Sequence, residues 1–469
     1  MNVFLHDHIA ILMFVALGAF IFSGLPVALV LTGVGVGFGL LGYAMGLVRL
    51  ADFGAIYYRV YGTLSDSEDI QWAAVPLLIF MGATLQQSGM ARELLQSLQR
   101  LLRRVPGGLP MAVTLIGVVL APAAGMVGAS VTTLTLIALP TMLRQGYSPA
   151  FASGAIAAAG TLGVGLPPGI MLFFLADAMG MQVPFIFLAM VGPALLLLVL
   201  YFGYYAAACS LWPSVTGGPE RDEAPPGPGR LLPYVRSLAA PFVLLALMLG
   251  SIIGGWVSLS ESATIGALGA VLLASLHGTL SLQRVHEVVV RTTITTAMIF
   301  LIFTGATTFS LMFRLLGGVD AFTAALAALR LGHWGTLIVV LLVIFVLGCF
   351  LDWLEIVLIS FTIFRPVLDA LDFSTYIERP YVAFGWITIL VALTLQSSFL
   401  TPPFGFALFL VRGSAPAGVR MAHLYRGIVP FVLIQVFVIT CVAIFPSIAT
   451  WLPDQLLNLE ATRGVKARD

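Results

Sequence analysis

The chain has 469 residues, of which 60% are hydrophobic and 9% are charged, and its mean hydropathy is +1.05. A soluble protein of this length needs more polar surface, so the composition indicates a polytopic membrane protein. The formal charge of +1 gives no reason to expect nucleic-acid binding. The three cysteines show no metal-site or disulfide spacing, and neither a GxxxxGK[ST] loop nor a GxSxG motif occurs. We therefore expect no enzyme and no ATP hydrolysis.

Apolar runs in the first hundred residues predict three membrane spans. Residues 9–43 are too many for one span of about 20 residues, and the SGLP sequence at 23–26 divides them into two. The third span is expected at 73–88. Residues 49–72 mix tyrosines, a tryptophan and charges, which is typical of a loop at the membrane interface, and residues 92–104 predict an amphipathic segment at the membrane surface.

Two interrupted segments follow. Residues 107–143 contain small residues at 125–130, which predict two short helices forming a re-entrant hairpin, although two full spans also fit the length. Residues 150–179 contain the sequence GTLGVGLPPG, in which Pro167 and Pro168 interrupt an apolar run. Proline cannot donate the helical hydrogen bond and clashes with the preceding turn, so this segment predicts a broken helix.

A span at 184–212 ends the first half, and the Pro-, Gly- and charge-rich residues 213–237 predict a linker. The second half shows the same order of elements. It comprises spans at 239–256, 263–282 and 292–312, a hairpin at about 335–368, a broken helix at about 382–411, and a last span at 428–452. The chain thus divides into a first repeat of residues 1–212, the linker, and a second repeat of residues 238–469.

The repeat is also visible in short matches between the sequences of the two halves. LIFMGAT at 78–84 and LIFTGAT at 301–307 differ at one position, and the Pro167-Pro168 pair has a counterpart in Pro402-Pro403. If each hairpin enters and leaves by one side, each half crosses the membrane an odd number of times, which inverts the second half relative to the first. The predicted fold is an all-α polytopic membrane protein with two inverted repeats, each containing a re-entrant helical hairpin and a broken helix.

The basic residues give the predicted orientation. Of the 22 arginines and lysines, thirteen fall on the side that carries the linker and nine on the other. Because cytoplasmic loops are enriched in basic residues, we expect the linker in the cytoplasm and both termini in the periplasm.

The four breaks are expected to meet near the bilayer midplane. Unwound backbone there has free carbonyls, and half-helix ends add partial charges, so neutral oxygens can bind Na⁺ while helix N-termini face an anion. The candidate ion- and substrate-binding residues are Gly128, Ala129, Ser130, Thr132, Thr133, Gly160, Thr161, Gly163, Gly348, Asp352, Gln396, Ser397, Ser398, Thr401 and Gly405. Na⁺ is expected on Ser130, Thr161, Ser398, Thr401 and nearby carbonyls, as coupling ion and with no other cofactor.

Each of these residues also has a simpler explanation. A single glycine in a membrane helix serves close packing more often than ligation, but four breaks in repeat-related positions favour a binding site. Asp352 and Glu355 lie three residues apart beside the second tip. They could bind a cation, relay a proton, or order the hairpin through hydrogen bonds to its own N–H groups. Glu261 is expected to cap the start of its span.

Long motifs in this order resemble the large membrane subunit of tripartite ATP-independent periplasmic (TRAP) transporters, the DctM type. The resemblance runs through GLPVAL, PLLIFMGATLQQSG, GMVGASVTTLTLIALPTMLRQGY, GTLGVGLPPGI, LSESATIGALGA, GCFLDWLEIVLI and LTPPFGFALFLV. It assigns Gly128, Ala129 and Ser130 to the first tip, Gly160, Thr161, Pro167 and Pro168 to the first broken helix, Asp352 to the second tip, and Thr401, Pro402, Pro403 and Gly405 to the second broken helix.

The resemblance implies a protein of the bacterial inner membrane that imports organic acids with Na⁺. It implies a separate small four-helix subunit of the DctQ type and an extracytoplasmic substrate-binding protein of the DctP type. It also implies an elevator-like movement, in which the two hairpins and two broken helices move against a scaffold of the other spans.

Two departures from the family pattern leave the substrate open. The sequence LSES at 259–262 stands where the family often has Pro-Thr-Glu-Ala, and Trp353 and Glu355 differ from the commoner Pro and Ala. A stand-alone Na⁺- or H⁺-coupled carboxylate carrier of the same superfamily is the alternative function. An intramembrane enzyme or a structural scaffold is the alternative from another class. The first would need a nucleophile pair or metal ligands, and the second would not need midplane breaks.

Overall fold

The computed structural model describes residues 2–65, 71–124, 127–212, 215, 232–402 and 405–466, and all regular structure in these residues is helical. The first half forms α1 (Asn2–Ile21), α2 (Val27–Ala44), α3 (Leu50–Ser65), α4 (Ala74–Gln87), α5 (Met90–Leu101), α6 (Gly108–Ala124), α7 (Val127–Arg144), α8 (Pro149–Leu162), α9 (Ile170–Met179) and α10 (Val183–Leu211).

The second half begins within the segment predicted as a linker, because its first helix already starts at Leu232; of the preceding linker residues, the structure describes only Val215. It forms α11 (Leu232–Ile253), α12 (Leu259–Leu276), α13 (Leu282–Leu315), α14 (Gly318–Ala328), α15 (Gly332–Gly348), α16 (Trp353–Asp369), α17 (Pro380–Ser398), α18 (Phe406–Ser414), α19 (Met421–Ile444) and α20 (Ser447–Lys466).

Seven helices of the described residues are long and apolar enough to cross a membrane, or eight if α8 and α9 form one bent span. The seven are α2, α7, α10, α12, α13, α17 and α19. The chain is therefore a multi-span membrane protein, as its composition predicts.

The segment predicted as an interface loop at 49–72 instead contains helix α3. Asp52 accepts hydrogen bonds from Arg49 N at 2.8 Å and from its Nη2 at 3.0 Å, which start this helix and lower the pKa of Asp52. The tyrosines Tyr57, Tyr58 and Tyr61 are exposed along it. The charged and aromatic residues of this segment made its helical periodicity difficult to recognise in the sequence. Tyrosine rings are common at the lipid headgroup layer of a membrane.

Two other boundaries differ from the prediction. The last span, predicted at 428–452, is two helices, because Pro446 cannot continue α19 and the chain restarts at Ser447. The helix α14 was not predicted, since its alanine-rich sequence is short and only moderately apolar. By contrast, the amphipathic segment predicted at 92–104 is present as α5, with Leu94, Leu95 and Leu98 buried on one face.

Helices in equivalent positions of the two halves exchange contacts. Helix α2 packs along α13, and α12 packs along α4. The repeat relates these two contacts, because α2 and α12 are the second helices of their halves, and α4 and α13 carry the matching LIFMGAT and LIFTGAT sequences. The first pairing is close: a Cβ built at Gly35 would lie 3.0 Å from the Phe309 backbone, and one at Gly305 would lie 2.6 Å from the Ala28 carbonyl oxygen. This exchange is what a two-fold repeat predicts. The inverted relation of the halves remains a prediction.

Helix α8 lies at the centre of another group of packed helices, which includes α6, α7 and α19. From Phe151 to Leu162 every residue is buried. Glycines bring it into backbone contact with its neighbours, because a Cβ at Gly154 would overlap Gly427 of α19 and one at Gly117 of α6 would overlap the Ala159 carbonyl. Small residues allow this close approach of membrane helices. The helix that ends at the first break is therefore held rigidly up to its last turn.

Candidate functional site

The tip of the first hairpin lies against the first broken helix. Helix α6 ends at Ala124 and α7 begins at Val127, while Gly125 and Met126 of the predicted tip lie outside the described residues. A Cβ at Gly160 would lie 2.5 Å from Val131 Cγ2 and 3.0 Å from its Cα, so no larger residue fits there. Glycine at this position is therefore a packing requirement as well as a candidate ligand.

The tip of the second hairpin lies in the same way against the second broken helix. The chain leaves α15 at Gly348 and re-enters a helix at Trp353. A Cβ at Gly348 would overlap the Ser398 hydroxyl, and Cys349 Sγ lies 3.9 Å from the Pro402 carbonyl oxygen. The predicted second tip and second broken helix thus meet in the structure.

The two breaks also meet each other across the halves. A Cβ built at Gly165 would lie 2.8 Å from Gln396 Oε1. Helix α7 of the first hairpin contacts α18 of the second broken helix, and α16 of the second hairpin contacts α9 of the first. The fold therefore gathers the described parts of all four predicted interruptions into one region.

The first break is built from main chain. Residues Gly163–Gly165 form one tight turn after α8, Leu166 is extended, and Pro167 and Pro168 follow before α9, whose axis is bent by 46° from that of α8. A Cβ at Gly169 would lie 2.7 Å from the carbonyl oxygens of both Val164 and Leu166. Two unwound carbonyls thus converge beside a residue that has no side chain.

The second break presents side chains instead. Helix α17 ends at Ser398, and Thr401 N donates to the Ser398 carbonyl oxygen at 3.1 Å in the turn that follows. Gly405 starts α18 in the left-handed region with a φ of 50°. Pro402 lies in this turn, whereas Pro403 lies outside the described residues.

The candidate hydroxyls differ in how their protons are used. Thr161 Oγ1 donates to the Ala157 and Ala158 carbonyls at 3.1 Å each, and Ser398 and Thr401 donate to main-chain carbonyls one turn back, at 2.7 and 2.9 Å. Such a hydroxyl keeps its oxygen lone pairs for a cation. Ser130 and Ser397 are fully buried, and neither hydroxyl has a hydrogen-bond partner within the described part of the chain.

Unpaired buried polar atoms are rare in proteins, and each asks for an explanation. Among the described residues of this region they are Ser130 Oγ, Ser397 Oγ, both amide atoms of Gln396 and, at the second tip, Trp353 Nε1. The remaining candidates carry less information. Gly128, Ala129, Thr132 and Thr133 are half-buried on α7, where Gly128 faces Leu410 of α18, and Gly163 is buried in the tight turn.

Asp352 and Glu355 form a capping box at the start of α16. The Asp352 side chain accepts from Trp353 N at 2.9 Å, and Glu355 accepts from Asp352 N at 3.2 Å. Of the three roles considered for this pair, the ordering of the hairpin is the one these hydrogen bonds describe. The expectation for Glu261 is confirmed with one refinement, since the N-cap residue is Ser258 and Glu261 completes its capping box.

The helix N-termini around the breaks are not equivalent. The carboxylates of Asp352 and Glu355 occupy that of α16, whereas α9 and α18 begin at Gly169 and Gly405 without a side-chain cap. Helix N-termini carry partial positive charge, which suits an anion, although in α18 the Ala407 N–H already donates to the Phe399 carbonyl oxygen at 3.2 Å. The described parts of the four breaks contain no arginine or lysine. An anion held here would therefore be bound by neutral donors.

Sequence reasoning missed two parts of this arrangement. Gly165 was not among the candidate residues, although it contacts Gln396 of the other half. The paired carbonyls of Val164 and Leu166 belong to the main chain, so no residue type in the sequence indicates them. The glycine spacing GVG before the proline pair was the available clue. Among the described residues, no group of three or more His, Cys, Asp or Glu side chains could hold a metal ion.

The family description that matches this chain is "Tripartite ATP-independent periplasmic transporter, DctM component", and the match covers residues 14–448. The chain belongs to the DctM family. It is therefore the large permease component of a three-part transporter, and not an enzyme. Membership also implies a small membrane subunit and a periplasmic binding protein as partners.

Similar proteins bear this out. A C4-dicarboxylate TRAP transporter large permease of Pseudomonas aeruginosa is 26% identical, over 83% of this chain and 88% of its own length. An ectoine TRAP transporter large permease of Halomonas elongata is 25% identical, over 89% and 97%. Among solved structures, the YdaH transporter of Alcanivorax borkumensis superposes with a TM-score of 0.54 at 15% identity, over 87% and 90%, which supports the fold alone.

Proposed function

We propose that this large permease imports a small organic anion, a carboxylate, together with Na⁺, after an extracytoplasmic binding protein has delivered the anion. The observation that carries the proposal is the meeting of the two helix breaks at Gly165 and Gln396, with unpaired polar atoms buried around it. In a membrane interior such atoms are costly unless a ligand satisfies them, and cargo and coupling ion are the ligands of a secondary transporter.

Na⁺ is the proposed coupling ion because the available ligands are neutral oxygens. Thr161, Ser398 and Thr401 each keep hydroxyl lone pairs, Ser130 adds an unpaired hydroxyl, and the first break adds two converging carbonyls. A proton-coupled carrier would need a titratable group at the centre, whereas the carboxylates of Asp352 and Glu355 are engaged in capping α16. This arrangement favours Na⁺ over H⁺.

The N-termini of α9 and α18, which have no side-chain cap, support an anionic cargo, and the resemblance to the family supports a carboxylate. The relatives do not supply the substrate, because one is named for C4-dicarboxylates and another for ectoine. Specificity is shared with a binding protein on another chain, so the permease needs to recognise only part of the cargo.

Movement by an elevator mechanism fits the packing. Helices α6, α7 and α8 pack closely around the first break, and the spans α2, α4, α12 and α13 pack against one another. Aromatic side chains lie between the first broken helix and these spans: the ring of Trp72, just before α4, meets the ring of Phe174 of α9 edge to face with 5.0 Å between centroids, and it is tilted against the ring of Phe303 of α13 with 4.6 Å between centroids. We propose that the two hairpins and two broken helices move against a scaffold of the other spans, with the linker in the cytoplasm and both termini in the periplasm of the inner membrane.

Reconstituted vesicles test this function. The chain, its small four-helix subunit and its binding protein are combined in proteoliposomes, and the uptake of radiolabelled carboxylates is followed under an inward Na⁺ gradient. We expect uptake that stops when K⁺ replaces Na⁺ and when the binding protein is left out. Uptake that persists without the binding protein would instead support the stand-alone carrier, and uptake that ignores Na⁺ would contradict the proposed coupling.

A further inference from the structure

Gln396 is a buried amide without partners. Its side chain is 1% exposed on the last turn of α17, and neither Oε1 nor Nε2 has a hydrogen-bond partner among the residues that the structure describes. The amide has an acceptor at one atom and two donors at the other. Leaving both unsatisfied in a membrane interior is unfavourable, so the amide is expected to meet a group that satisfies both.

The place of this amide indicates that the group belongs to the cargo. Its Oε1 lies next to Gly165 of the other half, since a Cβ built at Gly165 would be 2.8 Å from it. Met190 Cε of α10 lies 3.5 Å from the same Cβ position. The neighbouring Ser397 hydroxyl is also unpaired. The amide thus stands where the two breaks meet, between a main-chain surface and an apolar wall.

The chemistry of the partner follows from the amide. A carboxylate only accepts hydrogen bonds, so by itself it would satisfy Nε2 and leave Oε1 unpaired, whereas Na⁺ by itself would satisfy Oε1 and leave Nε2 unpaired. A hydroxyl group both donates and accepts, so a single hydroxyl can donate to Oε1 and accept from Nε2. Resting on the proposed function, we infer that Gln396 recognises a hydroxyl group of the cargo, which makes the preferred cargo a hydroxy-substituted carboxylic acid.

Uptake of matched acids tests this role. Radiolabelled malate and succinate, and lactate and propionate, differ in each pair by one hydroxyl, and the complete transporter is supplied with the same binding protein throughout. Gln396→Met keeps the length of the side chain and removes donor and acceptor. We expect the wild type to carry the hydroxylated member of a pair about 10- to 100-fold faster, because the deoxy acid leaves the amide unpaired. In Gln396→Met this ratio falls to within about 3-fold, through loss of the hydroxylated member alone.

A matched control separates recognition from folding. Gln435 of α19 is equally buried, at 2% exposed, but its amide lies beside the Tyr201 hydroxyl of α10. Gln435→Met should leave the hydroxyl preference unchanged. If Gln396→Met does not insert, Gln396→Asn keeps the amide but withdraws it by one methylene, and the preference should again fall.

The possible outcomes test the role of Gln396 separately from the proposed function. Equal loss of both members of a pair in Gln396→Met would overturn the role of Gln396 and assign it to the helix break or the cation, while the proposed function stands. An unchanged ratio in the same variant would overturn it as well. Absence of Na⁺-dependent uptake of all four acids by the wild type would contradict the carboxylate cargo itself, and this inference with it.

Discussion

The two helix breaks occupy equivalent places in the two halves, yet they offer different chemistry. The first, at residues 163–169, turns main-chain carbonyls toward Gly169 and has a hydroxyl, Thr161, at its edge. The second, after α17, presents the unpaired side chains of Gln396 and Ser397. Oxygen-only ligands suit a cation, and mixed donors and acceptors suit an organic molecule. We therefore propose that the first break supplies the larger share of the Na⁺ ligands, with Ser398 and Thr401 added from the second, and that Gln396 and Ser397 of the second break recognise the polar groups of the cargo.

The largest expected effect comes from filling the first break. Ser130→Leu or Thr161→Leu places a bulky apolar side chain at a fully buried hydroxyl and should lower Na⁺-dependent uptake at least about 100-fold, because ligand oxygens are lost and the site is blocked. Membrane insertion, followed by detergent extraction and gel filtration, should be unchanged. Thr264→Leu is the matched control, since Thr264 makes the same one-turn hydroxyl bond on the exposed face of α12. Uptake at wild-type rates in Thr161→Leu would contradict the assignment of this break.

Smaller substitutions sharpen the comparison, because each should change a different constant. Thr161→Val removes one cation ligand, and we expect the Na⁺ concentration for half-maximal uptake to rise about 10-fold at a constant cargo requirement. Ser397→Ala should do the reverse, raising the cargo requirement about 5- to 10-fold at constant Na⁺ dependence. Initial rates over a grid of Na⁺ and cargo concentrations measure both. If both variants changed the same concentration requirement, the two breaks would not bind Na⁺ and cargo separately.

At the second hairpin we expect an effect on stability rather than on ion binding. Asp352→Ala removes the N-cap of α16 and should lower the free energy of unfolding by about 0.5–2 kcal/mol, read as a lower midpoint of thermal unfolding. Asp352→Asn keeps a capping oxygen and should stay near the wild type. A loss of Na⁺ affinity in Asp352→Asn, with normal stability, would show that the carboxylate binds the ion.

The smallest effect is expected at Gly405. Its φ of 50° is disfavoured for residues with a Cβ, so Gly405→Ala should destabilise the start of α18 by about 1 kcal/mol. Gly413→Ala, in the same helix with open space around it, should be neutral or slightly stabilising. Equal unfolding midpoints for the two variants would show that the left-handed turn contributes nothing.

The sequence predicted the interruptions better than their contacts. Proline pairs and glycine runs act on the local backbone, so the breaks at Pro167 and after Ser398 could be predicted from the letters alone. The meeting of Gly165 with Gln396 depends on the packing of helices more than two hundred residues apart, for which no local signal exists. Helices α3 and α14 were missed because short amphipathic or alanine-rich segments have weak hydropathy. The sequence around Asp352 fits a cation ligand, a proton relay and a helix cap equally well, because these roles differ only in the hydrogen bonds that the carboxylate makes, and those in the structure are the bonds of a cap.

Amide hydrogen exchange of the purified permease, with and without Na⁺, tests most directly whether the breaks hold the coupling ion. On addition of Na⁺, but not of K⁺, exchange in peptides covering residues 160–169 should slow at least about 10-fold, because cation binding fixes the unwound backbone, while α2 serves as an unchanged reference. Exchange in the first break that is the same in Na⁺ and K⁺ would contradict the account.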